Sequence, residues 1–398
     1  MGQFNLMAIT KKCEKARKPR KLIVVGQSPP PFHGQAVAIQ QMVDGLRDRI
    51  DLVHVPMRFS DQVSDNGRVQ WRKVTSLVSV IVRTVVALMR YPGAVLYFPP
   101  APASWVPIVR DALILAVCRP LAAKTIFHFH AHGLGDFLVH RRFGSLLRIP
   151  WAHADEGIVL GASCIKDTEM LGPKRISIIP YGTAMKANIP FDRVATQRVR
   201  ILYVGMLAES KGLFDLLDTA SRMTLSDNID FNLVGTFQNA ETEERFLARR
   251  KELNLEQRVH LCGQKTGDNL LLEYQQADIF FFPTFYESET FGIVTVEAMA
   301  HSLPIVASNW RGPKDIVVHG ETGILCEPRD AGAFCEALRF LADRQDIRAE
   351  MGSKGYQRFR NHFEMSMYLE GLEKAFLRHG CSPPLKKLQP DAVQTSSL

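Results

Sequence analysis

The 398-residue sequence has few of the features that mark secreted, fibrous or membrane-spanning proteins. Its seven cysteines are odd in number and none form a Cys-x-x-Cys pair, which is typical of reduced thiols in the cytosol rather than of a disulfide framework or a zinc ribbon. No run reaches the roughly 18 uncharged apolar residues that span a bilayer. Arg83 interrupts residues 74–89, and Arg110 and Asp111 interrupt residues 105–118. We therefore expect a cytoplasmic protein.

Acidic residues are scarce in the first half of the chain. Residues 1–199 contain 27 Lys and Arg but 13 Asp and Glu, a net charge of +14, whereas residues 200–398 carry −6. A basic half joined to an acidic half predicts two domains with different partners. The basic half could meet nucleic acid, an anionic membrane surface or a phosphorylated acceptor. Because zinc-finger spacings and RNA-binding aromatic motifs are missing, nucleic acid is not expected.

Short apolar runs alternate with longer amphipathic segments along both halves of the chain. The runs resemble buried parallel strands, and the segments between them have helical periodicity. This alternation predicts the α/β class, with two Rossmann-like doubly wound domains that face each other across a cleft. The predicted strands are Leu22–Gly26, Ala94–Tyr97, Thr125–Phe129, Gly157–Leu160, Ile176–Ile179, Ile201–Gly205, Phe231–Val234, Val259–Leu261, Ile279–Phe282, Ile305–Ala307 and Gly323–Leu325. The predicted helices of the first half are Ala36–Leu46, Trp71–Arg90, Ser104–Cys118 and Phe137–Arg148.

The boundary between the two domains is predicted in the polar segment 188–200, which contains a proline and lies where the sign of the charge changes. The predicted organisation is a basic tail over residues 1–20, a first domain over 21–195, a second domain over 196–380 and a disordered tail over 381–398.

The predicted helix over residues 71–90 combines an arginine stripe with otherwise apolar faces. Arg72, Arg83 and Arg90 fall within about 20° of one another on a helical wheel. One interpretation is a core helix with a single solvated face. The other is a helix at a membrane surface, with its arginines at the lipid phosphates.

The segment PTFYESETFGIVTVEAMA, residues 283–300, carries the densest set of candidate site residues. An apolar strand ends in this segment and a helix is predicted to begin near Phe291. The backbone N–H groups of Phe291, Gly292 and Ile293 would then lie at a helix N-terminus, which binds anions readily. Because glycine has no side chain, Gly292 would let a phosphate approach the backbone.

Two glutamates flank this predicted anion site. Glu289 lies at its mouth and Glu297 about two turns deeper along the helix. Carboxylates repel phosphate, so they more plausibly bind the hydroxyls of a sugar or a ribose. The alternative interpretation is a helix-start acid followed by a surface residue.

Six motifs in order resemble retaining glycosyltransferases of family 4, which have the GT-B fold. Glu289 and Glu297 form the E-x(7)-E pattern of that family. The other five are PPPFHGQ at 29–35, IIPYG at 178–182, YVGMLAESKG at 203–212, SLPIVAS at 302–308 and GPKDIVVHGETGILCEP at 312–328. The resemblance covers roughly residues 22–330 and implies that the second domain binds a nucleotide-diphosphate sugar while the first binds the acceptor.

The resemblance also implies roles for individual residues in donor binding. Lys211 would pair with the donor diphosphate, next to Gly205 and assisted by the helix start at Phe291, Gly292 and Ile293. Glu297 would hold the donor ribose, and Glu289 would contact hydroxyls of the transferred sugar near its reacting face. Gly34 would let the first loop close on the donor.

The HFHAHGLG segment, residues 128–135, supplies a further candidate by the same resemblance. His132 corresponds to a family histidine that hydrogen-bonds the donor sugar, and His130 is the second choice because the register is ambiguous. Together with His128 these histidines alternate at strand spacing, so all three could point to one face. Metal binding is conceivable there, but no Asp-x-Asp motif occurs in the chain and Lys211 can neutralise a diphosphate, so no metal is expected.

One position departs from the family pattern in a way that bears on activity. Met206 stands where the family usually has an arginine that binds the diphosphate beside Lys211. A charge-assisted hydrogen bond contributes roughly 1.5–3 kcal/mol, so its loss could weaken donor binding by about ten- to a hundredfold.

The resemblance therefore predicts a retaining hexosyltransferase of class EC 2.4. It needs no cofactor, and its co-substrate is a nucleotide-diphosphate sugar. The +14 charge of the first half favours a lipid-linked or polysaccharide acceptor of cell-envelope polysaccharide (exopolysaccharide, O-antigen or capsule) biosynthesis, with peripheral contact to an anionic membrane at the inner face of the plasma membrane. Two alternatives stay open: a nucleotide-sugar epimerase of the same fold, and an inactive protein that binds nucleotide sugars.

Overall fold

The structure is a computed structural model that describes residues 19–29, 34–57, 71–140, 144–185, 198–224 and 228–384. Three predicted features fall wholly or mostly outside these ranges. They are the basic tail, most of the boundary segment 188–200, and most of the tail after residue 381. Residues 30–33 of the PPPFHGQ motif also lie outside them.

The first sheet has six strands in the order β2-β1-β3-β4-β5-β6. The pairs β1 with β2 and β3, β4 with β5, and β5 with β6 are parallel. The central strands β1, β3 and β5 are wholly buried, as expected for a parallel sheet covered by helices on its faces. The strands are β1 (Leu22–Gly26), β2 (Leu52–Pro56), β3 (Val95–Phe98), β4 (Lys124–Phe129), β5 (Glu156–Val159) and β6 (Ile176–Ile178).

The second sheet also has six strands, in the order β12-β11-β10-β7-β8-β9, and its pairs are parallel. The central strand β10 has the sequence IFFF and is wholly buried, which anchors the core of this sheet. The strands are β7 (Val199–Val204), β8 (Ile229–Val234), β9 (Val259–Gly263), β10 (Ile279–Phe282), β11 (Ile305–Ser308) and β12 (Gly323–Cys326).

Helices connect the strands of both sheets, so the α/β fold with two doubly wound sheets that the alternation predicts is confirmed. They are α1 (Gly34–Leu46), α2 (Trp71–Arg90), α3 (Trp105–Cys118), α4 (Leu134–His140), α5 (Gly144–Arg148), α6 (Ile165–Glu169), α7 (Leu213–Ser221), α8 (Ala240–Glu252), α9 (Gly267–Gln276), α10 (Ile293–Ala300), α11 (Arg311–Ile316), α12 (Ala331–Asp343), α13 (Gln345–His362) and α14 (Met365–Arg378). None of the helices in the described ranges combines the length and the apolar character that crossing a bilayer requires.

One strand was not predicted, and one predicted helix was wrong. Strand β2 was missed because its partly exposed sequence LVHVP lies at the edge of the sheet and lacks a continuous buried run. The single helix predicted over Phe137–Arg148 is instead two short helices. Gly144, at the start of α5, lies so close to α4 that a β carbon would sit 2.0 Å from the carbonyl oxygen of Leu138. Helices α4 and α5 therefore lie against each other and do not form one continuous helix.

The chain divides into two compact units. The first contains residues 1–98, 116–125 and 373–398, and the second contains residues 99–115 and 126–372. Gly34 belongs to the first unit and every other candidate site residue to the second. The domain boundaries at 20, 195 and 380 stay a prediction.

The end of α14 and the residues that follow it pack within the first unit. The ring of Phe376 meets that of Tyr97 edge-on at 5.7 Å, and the backbone N–H of Asp51 donates to the carbonyl of Ser382 at 2.8 Å. Cys381 is buried. The described part of the predicted disordered tail, residues 381–384, is thus attached to the first unit.

Candidate active site

The loop after β7 brings Lys211 to the end of β10. A 3-10 turn over Glu209–Lys211 ends at Gly212, whose φ of 78° is the left-handed conformation that glycine tolerates. A β carbon on Gly212 would lie 2.1 Å from the carbonyl oxygen of Pro283, so the two backbones touch. The N–H of Phe285 donates to the carbonyl of Ser210 at 2.9 Å. This close packing places Lys211 beside the segment that carries Glu289.

Lys211 and Glu289, predicted to share one site, form an ion pair. The Lys211 ammonium lies 2.5 Å from Oε2 of Glu289, and both side chains are largely buried. The hydroxyl of Thr284 donates to the same carboxylate oxygen at 3.2 Å. The ammonium also lies 4.7 Å from the centre of the Tyr286 ring, a cation–π distance. No sequence pattern pointed to Thr284 or Tyr286.

The segment after Glu289 leads through Gly292 into helix α10, which begins at Ile293 rather than near Phe291. Gly292 precedes the helix with a φ of 78°, and a β carbon there would lie 3.2 Å from the Phe282 ring. The Phe291 side chain is buried, and its backbone lies against Gly312. The first-turn N–H groups of α10 therefore start at Ile293 and, as at any helix start, favour an anion.

Glu297, on the same helix, is held by two aromatic side chains that sequence reasoning missed. The hydroxyl of Tyr274 donates to its Oε2 at 2.8 Å. The Tyr274 ring stacks on His301, with centroids 5.2 Å apart, and Nδ1 of His301 donates to the Glu297 carbonyl at 2.8 Å. Burial raises the pKa of Glu297 to about 7, against the opposing effect of the Tyr274 hydrogen bond. This carboxyl group is thus oriented and close to changing its charge at neutral pH.

Two of the three histidines lie side by side, and the third has different neighbours. His128 is buried, and its ring lies 4.1 Å from that of His130. His130 hydrogen-bonds through Nδ1 to the hydroxyl of Tyr181 and stacks on that ring. His132 follows the end of β4 in a turn and has other neighbours. His128 and His130 therefore lie side by side, as strand spacing predicts, whereas His132 lies three residues beyond the end of β4, where that spacing no longer applies.

His130 is tied to the loop that carries Glu289. The hydroxyl of Thr290 donates to the His130 carbonyl at 2.7 Å. The Tyr181 ring, stacked on His130, meets Phe291 edge-on at 5.5 Å. Direct contacts therefore connect His130, the second candidate for the histidine that binds the sugar, to the E-x(7)-E segment.

His132 lies in a polar turn shaped by Asp167. The carboxylate of Asp167 accepts hydrogen bonds from the backbone N–H groups of Gly133 at 3.0 Å and Asp136 at 2.9 Å. Burial lowers the pKa of His132, Asp167 opposes that shift, and the positive charge of Arg311 adds to it. A neutral imidazole, able to donate one hydrogen bond and accept another, is the form favoured here.

The two remaining glycines occupy different environments. Gly34 is the first residue of α1, and a β carbon there would meet nothing within 4 Å. Gly205 directly follows β7, donates its N–H to the Val234 carbonyl at 3.0 Å, and leaves no room for a side chain on Gly235. Nothing in these contacts shows a donor role for Gly34, which stays a prediction. Among the described residues, no cluster of three or more His, Cys, Asp and Glu side chains is arranged to hold a metal ion.

The exposed side chain of Met206 lies in the Lys211 loop. Its backbone carbonyl accepts a hydrogen bond from the buried Tyr203 hydroxyl at 2.9 Å. Burial, together with the negative charge of Glu289, raises the pKa of Tyr203 far above its usual range, so this hydroxyl stays protonated. The backbone at Met206 is therefore held beside the ion pair although its side chain carries no charge.

Comparison with known proteins agrees with this geometry. Residues 186–358 match the family described as glycosyl transferases group 1. The chain is 28% identical over 192 residues to the capsular polysaccharide biosynthesis glycosyltransferase CapM of Staphylococcus aureus, covering 48% of this chain and 49% of CapM. It is 28% identical over 204 residues to D-inositol 3-phosphate glycosyltransferase of Corynebacterium efficiens, covering 48% of each. The chain thus spans about half the length of these curated relatives.

The fold has a counterpart among solved structures. Anabaena HepE in complex with UDP superimposes with a TM-score of 0.70 at 16% identity, over 90% of this chain and all of HepE. At that identity the likeness concerns the fold alone. With its two parallel six-stranded sheets the chain has the GT-B fold, and its residues 186–358 are similar to the glycosyl transferases group 1 family.

Proposed function

We propose that the protein is a glycosyltransferase that moves a hexosyl group from a nucleotide-diphosphate sugar to a hydroxyl of an acceptor. The observation that carries this proposal is the ion pair between Lys211 and Glu289, buried at the end of β10 next to the start of α10. The pair supplies a cation for a diphosphate and a carboxylate for sugar hydroxyls, and the start of α10 lies four residues beyond Glu289 and favours an anion.

Lys211 has to exchange partners when the donor binds. Without a donor its ammonium is paired with Glu289 and lies against the Tyr286 ring. A diphosphate carries more negative charge than one carboxylate, so it competes for the ammonium and frees Glu289 for the sugar hydroxyls. Binding of the diphosphate and of the sugar would thus be coupled through one ion pair.

The chemical step that we propose needs no protein nucleophile. The bond between the anomeric carbon and the diphosphate oxygen breaks, and a bond to the acceptor oxygen forms on the same face, so that configuration is retained. The proton of the acceptor hydroxyl passes to the departing diphosphate. Lys211 and the first-turn N–H groups of α10 stabilise the charge that develops on this leaving group. Glu297, held by Tyr274, would bind the donor ribose, and a neutral His132 would hydrogen-bond the sugar.

We further propose that the acceptor is lipid-linked and belongs to cell-envelope polysaccharide synthesis, with the protein peripheral at the inner face of the plasma membrane. The support comes from helix α2 in the first unit. Its inner side packs on β1 and β2, whereas one outer stripe is apolar and exposed. The exposed fractions of Val74, Val78, Val82, Val86 and Met89 range from 43% to 68%.

An arginine row borders the exposed stripe of α2. Arg83 and Arg90 are exposed and lie about 40–60° around the helix from Val86, and α2 contains no acidic residue. An apolar face bordered by arginines matches a bilayer surface with anionic headgroups. The exposed apolar stripe supports the interpretation of a helix at a membrane surface, with its arginines at the lipid phosphates, over that of a core helix with a single solvated face.

Incubation with a panel of nucleotide sugars tests the central proposal. The protein is incubated with UDP-, GDP- and ADP-sugars, with and without a membrane lipid extract, and nucleotide diphosphate release is measured. Release from one donor, increased by lipid, is expected. An isomerised nucleotide sugar without an acceptor would indicate the epimerase, and nucleotide binding without any release would indicate the inactive protein.

Vesicle flotation tests the membrane contact. The wild-type protein is expected to bind vesicles of anionic phospholipid more strongly than vesicles of phosphatidylcholine. Val82→Glu with Val86→Glu should lower this binding more than tenfold, because two carboxylates enter the apolar stripe. Leu247→Glu, an exposed apolar position on α8, is the matched control and should bind like wild type. Equal binding by all three proteins would contradict a role of α2.

A further inference from the structure

Arg311, the first residue of α11, has a backbone conformation that costs energy. Its φ of 39° lies in the left-handed region, which is unfavourable for any residue with a β carbon. Such strain persists where the surrounding structure enforces it, and it is concentrated at functional sites. The strain raises the question of what an arginine side chain does at this position.

The surroundings of Arg311 place it against the Glu289 segment. The indole N–H of its neighbour Trp310 donates to the carbonyl of Tyr286 at 3.0 Å. On its other side, a β carbon on Gly312 would lie 2.5 Å from the backbone of Phe291. The turn that carries Arg311 is therefore held at both sides by the loop between Tyr286 and Phe291.

The guanidinium group of Arg311 forms no hydrogen bond and no ion pair with the described residues. Its Nε is buried without a hydrogen-bond partner, and no carboxylate of the described residues forms an ion pair with it. The guanidinium carbon lies 5.1 Å from the centre of the adjacent Trp310 ring. A buried charged donor left without an acceptor is costly, so native proteins normally provide a partner.

The charge of Arg311 reaches His132, which lies on a different element, and lowers its pKa. Arg311 therefore lies near both the Glu289 loop and the turn of His132, the two segments assigned to the sugar in the proposed function. A cation held at this point attracts an anionic group carried by a substrate. Arginine presents a planar fork of donors that fits a carboxylate or a phosphate better than a hydroxyl.

We propose that Arg311 binds an oxyanion of a substrate next to the transferred sugar and thereby selects charged substrates. This inference rests on the proposed function, since it assigns a substrate class to the same site. One of two substrate groups supplies this oxyanion, and both would bind the guanidinium in the same way. It is the carboxylate of a uronic acid in the donor, or the phosphate of a lipid-linked acceptor.

The test compares donors and acceptors that differ by one charged group. UDP-glucose and UDP-glucuronic acid form the donor pair. A sugar linked to an isoprenoid through phosphate and the same sugar linked directly to the isoprenoid alcohol form the acceptor pair, so that both acceptors offer the same sugar hydroxyl. The readouts are the dissociation constant for each donor and kcat/KM for each acceptor. Arg311→Ala is expected to lose ten- to a hundredfold towards the charged member of one pair and to change the neutral member less than threefold. The pair that responds identifies the source.

Arg311→Gly separates a functional role from a structural one. Glycine tolerates the left-handed conformation, so this variant should melt about 2 °C above wild type while losing the same discrimination. Arg344→Ala, at an exposed arginine, is the control and should retain wild-type discrimination. Equal losses towards charged and neutral members, or a lower melting temperature for Arg311→Gly, would overturn the inference. If the wild-type protein bound neither UDP-sugar nor any other nucleotide sugar, the proposed function itself would fail.

Discussion

The hydroxyl of Tyr274 donates a 2.8 Å hydrogen bond to Oε2 of Glu297 while its ring stacks on His301. The second glutamate of the E-x(7)-E pattern is therefore held by side chains from α9 and from the end of its own helix. This relationship orients the carboxyl group before any substrate arrives, and it makes both the charge and the position of Glu297 sensitive to its neighbours.

Tyr274→Phe should raise the pKa of Glu297 above its present value of about 7, because a hydrogen bond to the charged form is removed. The KM for the donor is expected to rise several-fold at pH 7 and to approach the wild-type value at higher pH, with kcat changed little. Donor-dependent kinetics between pH 6 and 9 measure this. Tyr356→Phe, at a tyrosine on α13 whose ring neighbours Phe359, is the control. An unchanged pH profile in Tyr274→Phe would contradict the positioning role.

Glu297→Gln should alter stability in a pH-dependent way. The carboxyl group has a folded-state pKa of about 7 against an ordinary value of 4.5, so it favours folding only while protonated. This contribution is fully present below pH 4.5 and is lost as the pH rises through 7. The variant should therefore match wild type at pH 4.5 and exceed it by up to about 3 kcal/mol at pH 8. Thermal unfolding at both pH values checks this, and equal stability at pH 8 would count against it.

Lys211→Ala should reduce turnover by two or more orders of magnitude, because the leaving diphosphate loses its cation. It also leaves the carboxylate of Glu289 largely buried without its partner, so stability should fall by about 1–3 kcal/mol. Lys211→Ala combined with Glu289→Gln should regain most of that stability but none of the activity. Near-normal turnover in Lys211→Ala and in Glu297→Ala would refute the proposed site.

Met206→Arg should tighten donor binding. The side chain is exposed in the Lys211 loop, so a longer residue fits there without displacing the core. A second cation facing the diphosphate is expected to lower the dissociation constant of a nucleotide diphosphate by about ten- to a hundredfold. Calorimetric titration measures it, with the neutral Met206→Gln as control. A gain below twofold would mean that the Met206 position does not face the diphosphate.

Gly212→Ala should lower stability and turnover by more than the backbone strain of the substitution alone would cause. Gly212 and Gly263 both have positive φ, at 78° and 69°. A β carbon at Gly212 meets the Pro283 carbonyl oxygen at 2.1 Å, whereas nothing lies within 4 Å of one at Gly263. Both alanine variants should lose about 1 kcal/mol of stability from the backbone, but only Gly212→Ala should lose further stability and turnover. Unfolding and kinetic assays compare them, and equal losses would show that the close approach at Gly212 is unimportant.

Much of this molecule is readable from local sequence. The eleven predicted strands are all present within a few residues, because a strand covered on both faces needs a continuous apolar run that stands out from its flanks. The ion pair of Lys211 and Glu289 joins residues that the motifs had assigned to one site. The motifs succeed because glycine turns and strand ends bring the loops of one sheet edge together.

The remaining details depend on contacts between segments far apart in sequence. Thr284, Tyr274 and Thr290 could not be identified as site residues, because a hydroxyl that supports a carboxylate or a carbonyl leaves no periodic signal. The separation of His132 from His128 and His130 depends on where β4 ends, which strand spacing does not reveal.

By itself the amino-acid sequence determined two parallel α/β sheets, the site segment around Glu289 and the basic character of the first half. Only the tertiary structure decided which side of α2 is exposed, how Glu297 comes to have a pKa near 7, and that Arg311 carries a strained backbone beside Phe291 and Gly312. The physical reason is that burial and long-range packing set exposure, charge and strain, and none of these follows from the spacing of residues along the chain.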